Sequence, residues 1–226
     1  MTSNPFLSYR PALLAALDAL HMADDAVHAD RLLAYLQQLQ RWNKAYNLTA
    51  IRQPADMLVQ HVFDSLAVVP VLRRHRAGRN TRVADMGSGA GLPGIILGIC
   101  QPDWRVTCVD AVGKKTAFIR QAAGALDLPN VQSIHGRIEA LPSQQADIVI
   151  SRAFASLLDF ARIAGHHRAG EGGLWAMKGQ YPEEEIRQLE ANSPWMIRSH
   201  TVLHVPQLPA QRCLLELGLK ETHDPC

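Results

Sequence analysis

The residues best equipped for chemistry cluster at 83–94, "VADMGSGAGLPG", where four glycines fall within eight positions and Asp85 stands two residues before the first. Gly89-Ala90-Gly91-Leu92-Pro93-Gly94 satisfies the GxGxxG spacing that lets a backbone approach a dinucleotide. A pyrophosphate, however, needs helix-terminal amides free of a nearby carboxylate. Asp85 suits a cationic ligand instead. S-adenosylmethionine carries an ammonium and a sulfonium and no phosphate. Asp110 ends the next apolar run, where doubly wound folds bind ribose hydroxyls. One acid for the amino-acid end and one for the ribose describe that cofactor. The plainer alternative for Asp85 is a cap on the following turn. An NAD(P)-dependent oxidoreductase, or a regulator that binds S-adenosylmethionine or a nucleotide without transferring anything, would use the same loop.

The surrounding pattern supplies strands and helices to position these groups. From Thr81 onward, "TRVADM", "WRVTCVD", "NVQSIHG", "ADIVISRAF" and "EGGLWAMKG" read as strands. Between them "LPGIILGIC", "GKKTAFIRQAAGAL", "SLLDFARIAGHH" and "EEEIRQLEAN" read as helices, and "WMIRSHTVLHV" and "RCLLELGL" give two final strands. This alternation predicts an α/β fold: a mostly parallel, seven-stranded Rossmann-like sheet with helices on both faces, the glycine loop at the carboxyl ends of its strands. Residues 1–80 read as a helical extension packed on that core at 81–226. Leu13, Leu17 and Leu20 form one apolar stripe, Leu32, Leu36, Leu39 and Trp42 a second, and Leu58, Val62, Leu66 and Val69 a third. These predict three short amphipathic helices. "ADDA" gives one an acidic start, and "YNLTAIRQPADM" breaks the chain before Pro54, at a first helical turn.

Composition narrows the classes. The chain has 226 residues, 47% apolar and 19% charged, with a net charge of +2, as expected of one globular domain plus an extension. There is no run of about 18 consecutive apolar residues, and "MTSNPFLSYR" has no secretory pattern, so the expectation is a cytoplasmic protein without a membrane span. Cys100, Cys108, Cys213 and Cys226 show no paired or zinc-like spacing and read as reduced thiols. His166 and His167 invite a metal, but neighbours on a helix point about 100° apart, so no metal is assigned.

Five segments carry a closer likeness: "RWNKAYNLTAIR", "HVFDSLAVVP", "DMGSGAGLPGIILGI", "SRAFASL" and "AMKGQYPEEEI", in that order. Over about residues 30 to 218 the chain resembles the RsmG (GidB) family of bacterial ribosomal RNA methyltransferases. The resemblance implies a class I methyltransferase fold with an N-terminal helical extension. It implies methyl transfer from S-adenosylmethionine, leaving S-adenosylhomocysteine, to N7 of guanine 527 in the 530 loop of 16S rRNA. Carried over by position, Gly87 and Leu92, with Gly89 between them, fall on the cofactor loop and Asp110 on the ribose acid. Ile138 and Glu139 match the pair beside the adenine, and Arg152 matches the arginine after the fourth strand. Ile138 also reads as core and Glu139 as a solvated loop acid. Met86 and Ser88 occupy positions where relatives vary, and the tail after Leu219 matches nothing.

Guanine N7 has an in-plane lone pair and no proton to lose, so in-line displacement needs no general base. No nucleophile–base pair stands out, and no catalytic side chain is assigned. Orienting candidates are Arg152, whose fork suits a carboxylate or phosphate, Lys178 at a strand end, and His61 with Asp64 one helical turn apart. For that pair, a contact on the helix surface is preferred to a catalytic role. "SRAF" stands where adenine-amine methylation commonly has Asn/Asp-Pro-Pro-aromatic. Carbon-5 pyrimidine methylation needs a thiolate nucleophile, and the sole Pro-Cys, Pro225–Cys226 at the extreme terminus, reads as accidental.

An RNA partner, 16S rRNA within the small subunit or its precursor, needs basic surface. Arg73, Arg74 and Arg76 lie in "RRHRAGRNTR", and Lys114 and Lys115 open a helix beside the cofactor end of the sheet. "HHR" at 166–168 reads as a solvated helix end. A monomer is expected.

Overall fold

The computed structural model describes residues 4–76, 80–152 and 154–220. The amino-terminal region is helical: α1 (Arg10–Ala19), α2 (Ala29–Tyr46), α3 (Pro54–Met57), α4 (Asp64–Leu66) and α5 (Val69–His75). Apolar side chains at helical spacing create α2, whose Leu32, Leu36 and Leu39 are fully buried. It ends at Asn47, which takes the left-handed conformation (φ 49°) in which asparagine often closes a helix. Pro54 opens α3, where its missing N–H costs nothing.

Two expectations for this region need correction. α2 runs for 18 residues and is not short. The third stripe is a near-continuous helical segment in which Leu58–Phe63 forms a π-turn between α3 and α4. Pro54–His75 is also long and apolar enough, by composition, to cross a membrane, but 67% of its most apolar window is buried inside the protein. It behaves as a core element.

The rest is one seven-stranded sheet. β1 (Arg82–Met86), α6 (Gly94–Cys100), β2 (Arg105–Asp110), α7 (Gly113–Ala125), β3 (Val131–His135), β4 (Ala146–Ser151), α8 (Leu157–Ala164), β5 (Arg168–Lys178), α9 (Glu183–Asn192), β6 (Trp195–Val202) and β7 (Cys213–Leu219) follow in turn. The spatial order is β3-β2-β1-β4-β5-β7-β6, parallel from β3 to β5, with β7 antiparallel to both its neighbours. β4 stops at Ser151, before the arginine that the sequence pattern included, and β5 starts earlier than expected, at Arg168.

Strand alternation divides the interior. Val83, Ile148 and Ile150 enter a core shared with α6, α7 and the amino-terminal helices. Ala84, Met86 and Val149 enter a second core, completed by Leu157 and Phe160 of α8 and Leu189 of α9. One face of the sheet therefore carries the amino-terminal helices, and β1, β2 and β4 end together at its upper edge.

Candidate functional site

β1 runs into the glycine loop at that edge. Gly87, Gly89 and Gly91 have φ of 72°, 60° and 80°, a region that side-chain-bearing residues rarely adopt. The N–H groups of Gly87 and Ser88 donate to Val109 O, at 2.9 and 3.0 Å, so the end of β2 carries the loop. Asp110 accepts from Gly89 N at 2.9 Å through one oxygen and from Val112 N at 2.8 Å through the other. Lys115 Nζ lies 3.7 Å from it. Beside Gly89 there is open space: no atom lies within 4 Å of where a Cβ would stand.

Asp85 is fully buried and its Oδ2 accepts from Gly94 N at 2.8 Å, which is the cap its plainer reading foresaw. Its Oδ1 is buried with no partner. Burial drives its pKa up from 3.8 to about 7, with the Gly94 amide and the Arg152 charge pulling the other way. A Cβ on Gly94 would stand 2.5 Å from Cys108 Sγ and 2.8 Å from Asp85 Oδ2, so only glycine fits there. Leu92, in a cis bond to Pro93, is buried.

Ile138 and Glu139 form a 3-10 turn after β3. Ile138 packs against the second core, and its carbonyl accepts from His167 Nε2 at 2.9 Å. Glu139 is half exposed, 3.8 Å from Arg137. His166 and His167 do not diverge as helix neighbours would: on a 3-10 turn their rings lie 3.8 Å apart. His167 Nδ1 accepts from Gln144 N and His166 bonds Leu141 O. Among the described residues there is no group of three or more His, Cys, Asp or Glu able to hold a metal. Cys100, Cys108 and Cys213 are free and buried; burial pushes the Cys108 thiol up; Cys226 lies outside the described residues.

A cleft of about 390 Å³ opens between the π-turn, β5 and β7. It gathers all four orienting candidates. Asp64 accepts from Arg152 Nη1 at 3.2 Å and from Arg212 Nε at 2.9 Å, one on each oxygen. Arg152 also donates to Gln60 O at 3.1 Å. His61 bonds Thr49 Oγ1 at 3.1 Å through Nε2, while its Nδ1 is buried without a partner. Burial, then the Arg152 charge, lowers the His61 pKa to about 4, so the ring is neutral near pH 7. His61 and Asp64 are buried, 4% and 3% exposed, which overturns the expected contact on the helix surface. They meet in the cleft because the π-turn carries His61 inward beside Asp64. Lys178 Nζ donates to Glu185 Oε2 at 2.8 Å and to Phe154 O at 3.2 Å, tying the segment after β4 to α9.

Part of the basic run before β1 is structural. Arg73 forks onto Asp25 at 2.9 and 3.1 Å, and Arg76, 9% exposed, pairs with Asp147 at 3.1 Å. Arg74 is exposed, and residues 77–79 lie outside those described. Lys114 Nζ donates to Tyr46 O at 2.7 Å, closing α2 against α7. Sequence reasoning missed Arg212, Thr49, Asp25 and Tyr35, whose fully buried hydroxyl donates to Ala90 O of the glycine loop at 2.8 Å. Arg212, Asp25 and Tyr35 act on partners 148, 48 and 55 residues away, and the stretches "YNLTAIRQPADM" and "ADDA" that contain Thr49 and Asp25 do not show the partners of either.

This sheet order, glycine loop and pair of strand-end acids define the class I, S-adenosylmethionine-dependent methyltransferase fold. Magnesium protoporphyrin IX methyltransferase from Synechocystis, solved with bound S-adenosylhomocysteine, superposes with a TM-score of 0.58 at 16% identity, covering 83% of this chain and 100% of that one. The ribosomal protein L11 methylase from Lactobacillus delbrueckii gives 0.54 at 15% identity, covering 70% and 77%. At those identities the likeness is one of fold alone.

The profile of the GidB family, rRNA small subunit methyltransferase G, matches residues 28–215. Proteins named ribosomal RNA small subunit methyltransferase G are 54% identical in Bordetella pertussis (221 residues, 95% of this chain and 96% of that protein) and 45% in Burkholderia multivorans (209 residues, 90% and 89%). The chain belongs to this methyltransferase family. The oxidoreductase reading of the glycine loop is thereby set aside.

Proposed function

We propose that the chain transfers a methyl group from S-adenosylmethionine to N7 of guanine 527 in 16S rRNA, by in-line displacement without a general base. The observation that carries this reading is the chemistry of the cleft beside the loop. Its arginines are held on Asp64, and its imidazole is a weak base, with a pKa of about 4. Such surroundings serve poorly a reaction that must remove a proton, and N7 has none to remove.

The loop fits the cofactor. Open space at Gly89 admits close approach, Asp110 suits a ribose diol, and the unpartnered Oδ1 of buried Asp85 suits a cation. Asp85, Gly87, Gly89, Leu92 and Asp110 would hold it, with Ile138 as an apolar wall and Glu139 at the rim by the adenine. When bound, S-adenosylmethionine supplies an electrophilic methyl on a sulfonium. The chain's own residues orient the acceptor. Arg152, fixed on Asp64 and Gln60 O, stiffens the wall between loop and cleft. His61, neutral near pH 7, lines the cleft and brings no charge near the developing purinium. Positioning of this kind contributes on the order of 7–11 kcal/mol to a two-substrate reaction.

We assign the small ribosomal subunit or its precursor as partner, with Arg74, Lys114 and Lys115 reaching RNA phosphates. The enzyme acts as a cytoplasmic monomer without a metal, its 1–80 extension and 81–226 core forming one compact unit. Methyl-labelled S-adenosylmethionine is incubated with small subunits from cells lacking the modification. The expected result is label in 16S rRNA, mapping to a single 7-methylguanosine. Binding of the cofactor with no label in RNA would mean a regulator, and label on another base or atom would refute the N7 assignment.

A further inference from the structure

Tyr35 sits on α2, in the helical region, yet bonds the glycine loop 55 residues away. Its ring is fully buried beside Phe118 of α7, with centroids 6.2 Å apart, and Phe118 also meets Trp42 at 5.7 Å. Phenylalanine would fill such a place without a hydroxyl to satisfy. The hydroxyl of Tyr35 is satisfied by a single acceptor, Ala90 O, to which it donates at 2.8 Å. Ala90 stands at the tip of the turn in which Gly91 N and Leu92 N both fold onto Ser88 O. The other anchors of the loop come from strand ends, through Val109 O, Asp110 and Asp85. Tyr35 alone among these anchors belongs to the helical region. Burial pushes its phenol far above the usual range, so it remains a donor.

We propose that Tyr35 is a positioning residue for the cofactor: its hydroxyl fixes the tip of the glycine loop through Ala90 O, which makes α2 part of the cofactor site. This rests on the reading that the loop holds S-adenosylmethionine. Removing the hydroxyl leaves a buried carbonyl unpaired and frees the tip, so the cost falls on binding.

The test is calorimetric titration with S-adenosylhomocysteine. Wild type binds; if it does not, the loop reading fails and the proposal falls with it. In Tyr35→Phe the expected Kd rises about five- to tenfold, and the KM for S-adenosylmethionine rises with it. At saturating cofactor, kcat stays within about twofold, because the acceptor cleft is untouched. Leu36→Val, which loosens the same helix by packing alone, is expected to lower Tm without moving Kd. A wild-type Kd in Tyr35→Phe, or an equal loss in Leu36→Val, overturns the proposal. Wild-type hydrogen exchange tests it without substitution. S-adenosylhomocysteine slows exchange at 32–39 as well as 87–92, and protection confined to the loop contradicts the claim.

Discussion

The glycine loop that follows β1 and the cleft lined from the π-turn, β5 and β7 are built by opposite means. The loop is shaped by backbone: three glycines at positive φ, amides received by Val109 O and Asp110, and one glycine for which no side chain fits. The cleft is shaped by side chains drawn from 49 to 212, with Asp64 holding two arginines and Thr49 holding His61. A backbone cradle suits a ligand that is always the same. A wall of paired charged side chains suits a base delivered by a large RNA, since its groups are neutralised in advance. The difference predicts which substitutions spoil folding and which spoil one substrate alone.

The largest expected effect tests the cleft. Asp64→Ala leaves Arg152 and Arg212 facing each other without their carboxylate. Loss of one member of a fully buried pair costs about 3–5 kcal/mol. With the arginine side chains 31% and 27% exposed, solvent screening reduces this to about 2–3 kcal/mol. Methylation kcat/KM is expected to fall about a hundredfold while S-adenosylhomocysteine still binds, as denaturant melts and single-turnover assays can check.

Gly94→Ala tests the loop. Its Cβ would press on Cys108 Sγ and Asp85 Oδ2 in a packed core, costing about 1–3 kcal/mol, with cofactor affinity falling in step.

Asp85→Asn gives a smaller effect with a distinctive pH signature. Asp85 has a folded pKa raised from 3.8 to about 7, so between those two values the folded state keeps a proton that the unfolded chain has lost. The stability contributed by this group is therefore present at low pH and disappears as pH rises through about 7. Affinity for a cationic cofactor moves the other way, climbing as the carboxylate forms. Melts and S-adenosylmethionine titrations between about pH 5.5 and 8.5 should show both slopes in wild type and neither slope in Asp85→Asn. The variant should bind several-fold more weakly at the upper end.

The smallest pair of effects separates structural from RNA-facing arginines. Arg73→Ala loses the fork onto Asp25 and about 1 kcal/mol, because the arginine is 40% exposed. Arg74→Ala should leave Tm unchanged and lower the salt dependence of RNA binding by about one unit of slope.

The two regions also differed in how far they could be read beforehand. Seven strands and the helices between them followed from apolar runs and turns, and the loop was legible because its glycines and Asp110 lie within 25 residues of Asp85. Asp85 itself was legible as a carboxylate in the right place, while its bond to Gly94 and its bare second oxygen depend on packing. The cleft was harder. His61 and Asp64 looked like a surface pair because ordinary helical spacing hides a π-turn, and Arg212 joins them from 148 residues away. Arg73 and Arg76 looked like surface charge because their partners, Asp25 and Asp147, lie 48 and 71 residues distant. Local chemistry is visible in a motif; ion pairs that close over long loops are not.

The division of labour is tested most directly by one calorimetric titration of S-adenosylhomocysteine into Asp110→Ala and His61→Ala, each shown to be folded. Asp110→Ala is predicted to lose about tenfold or more in affinity, and His61→Ala to bind as wild type does. Loss of binding in His61→Ala with retention in Asp110→Ala would place the cofactor in the cleft and contradict the account.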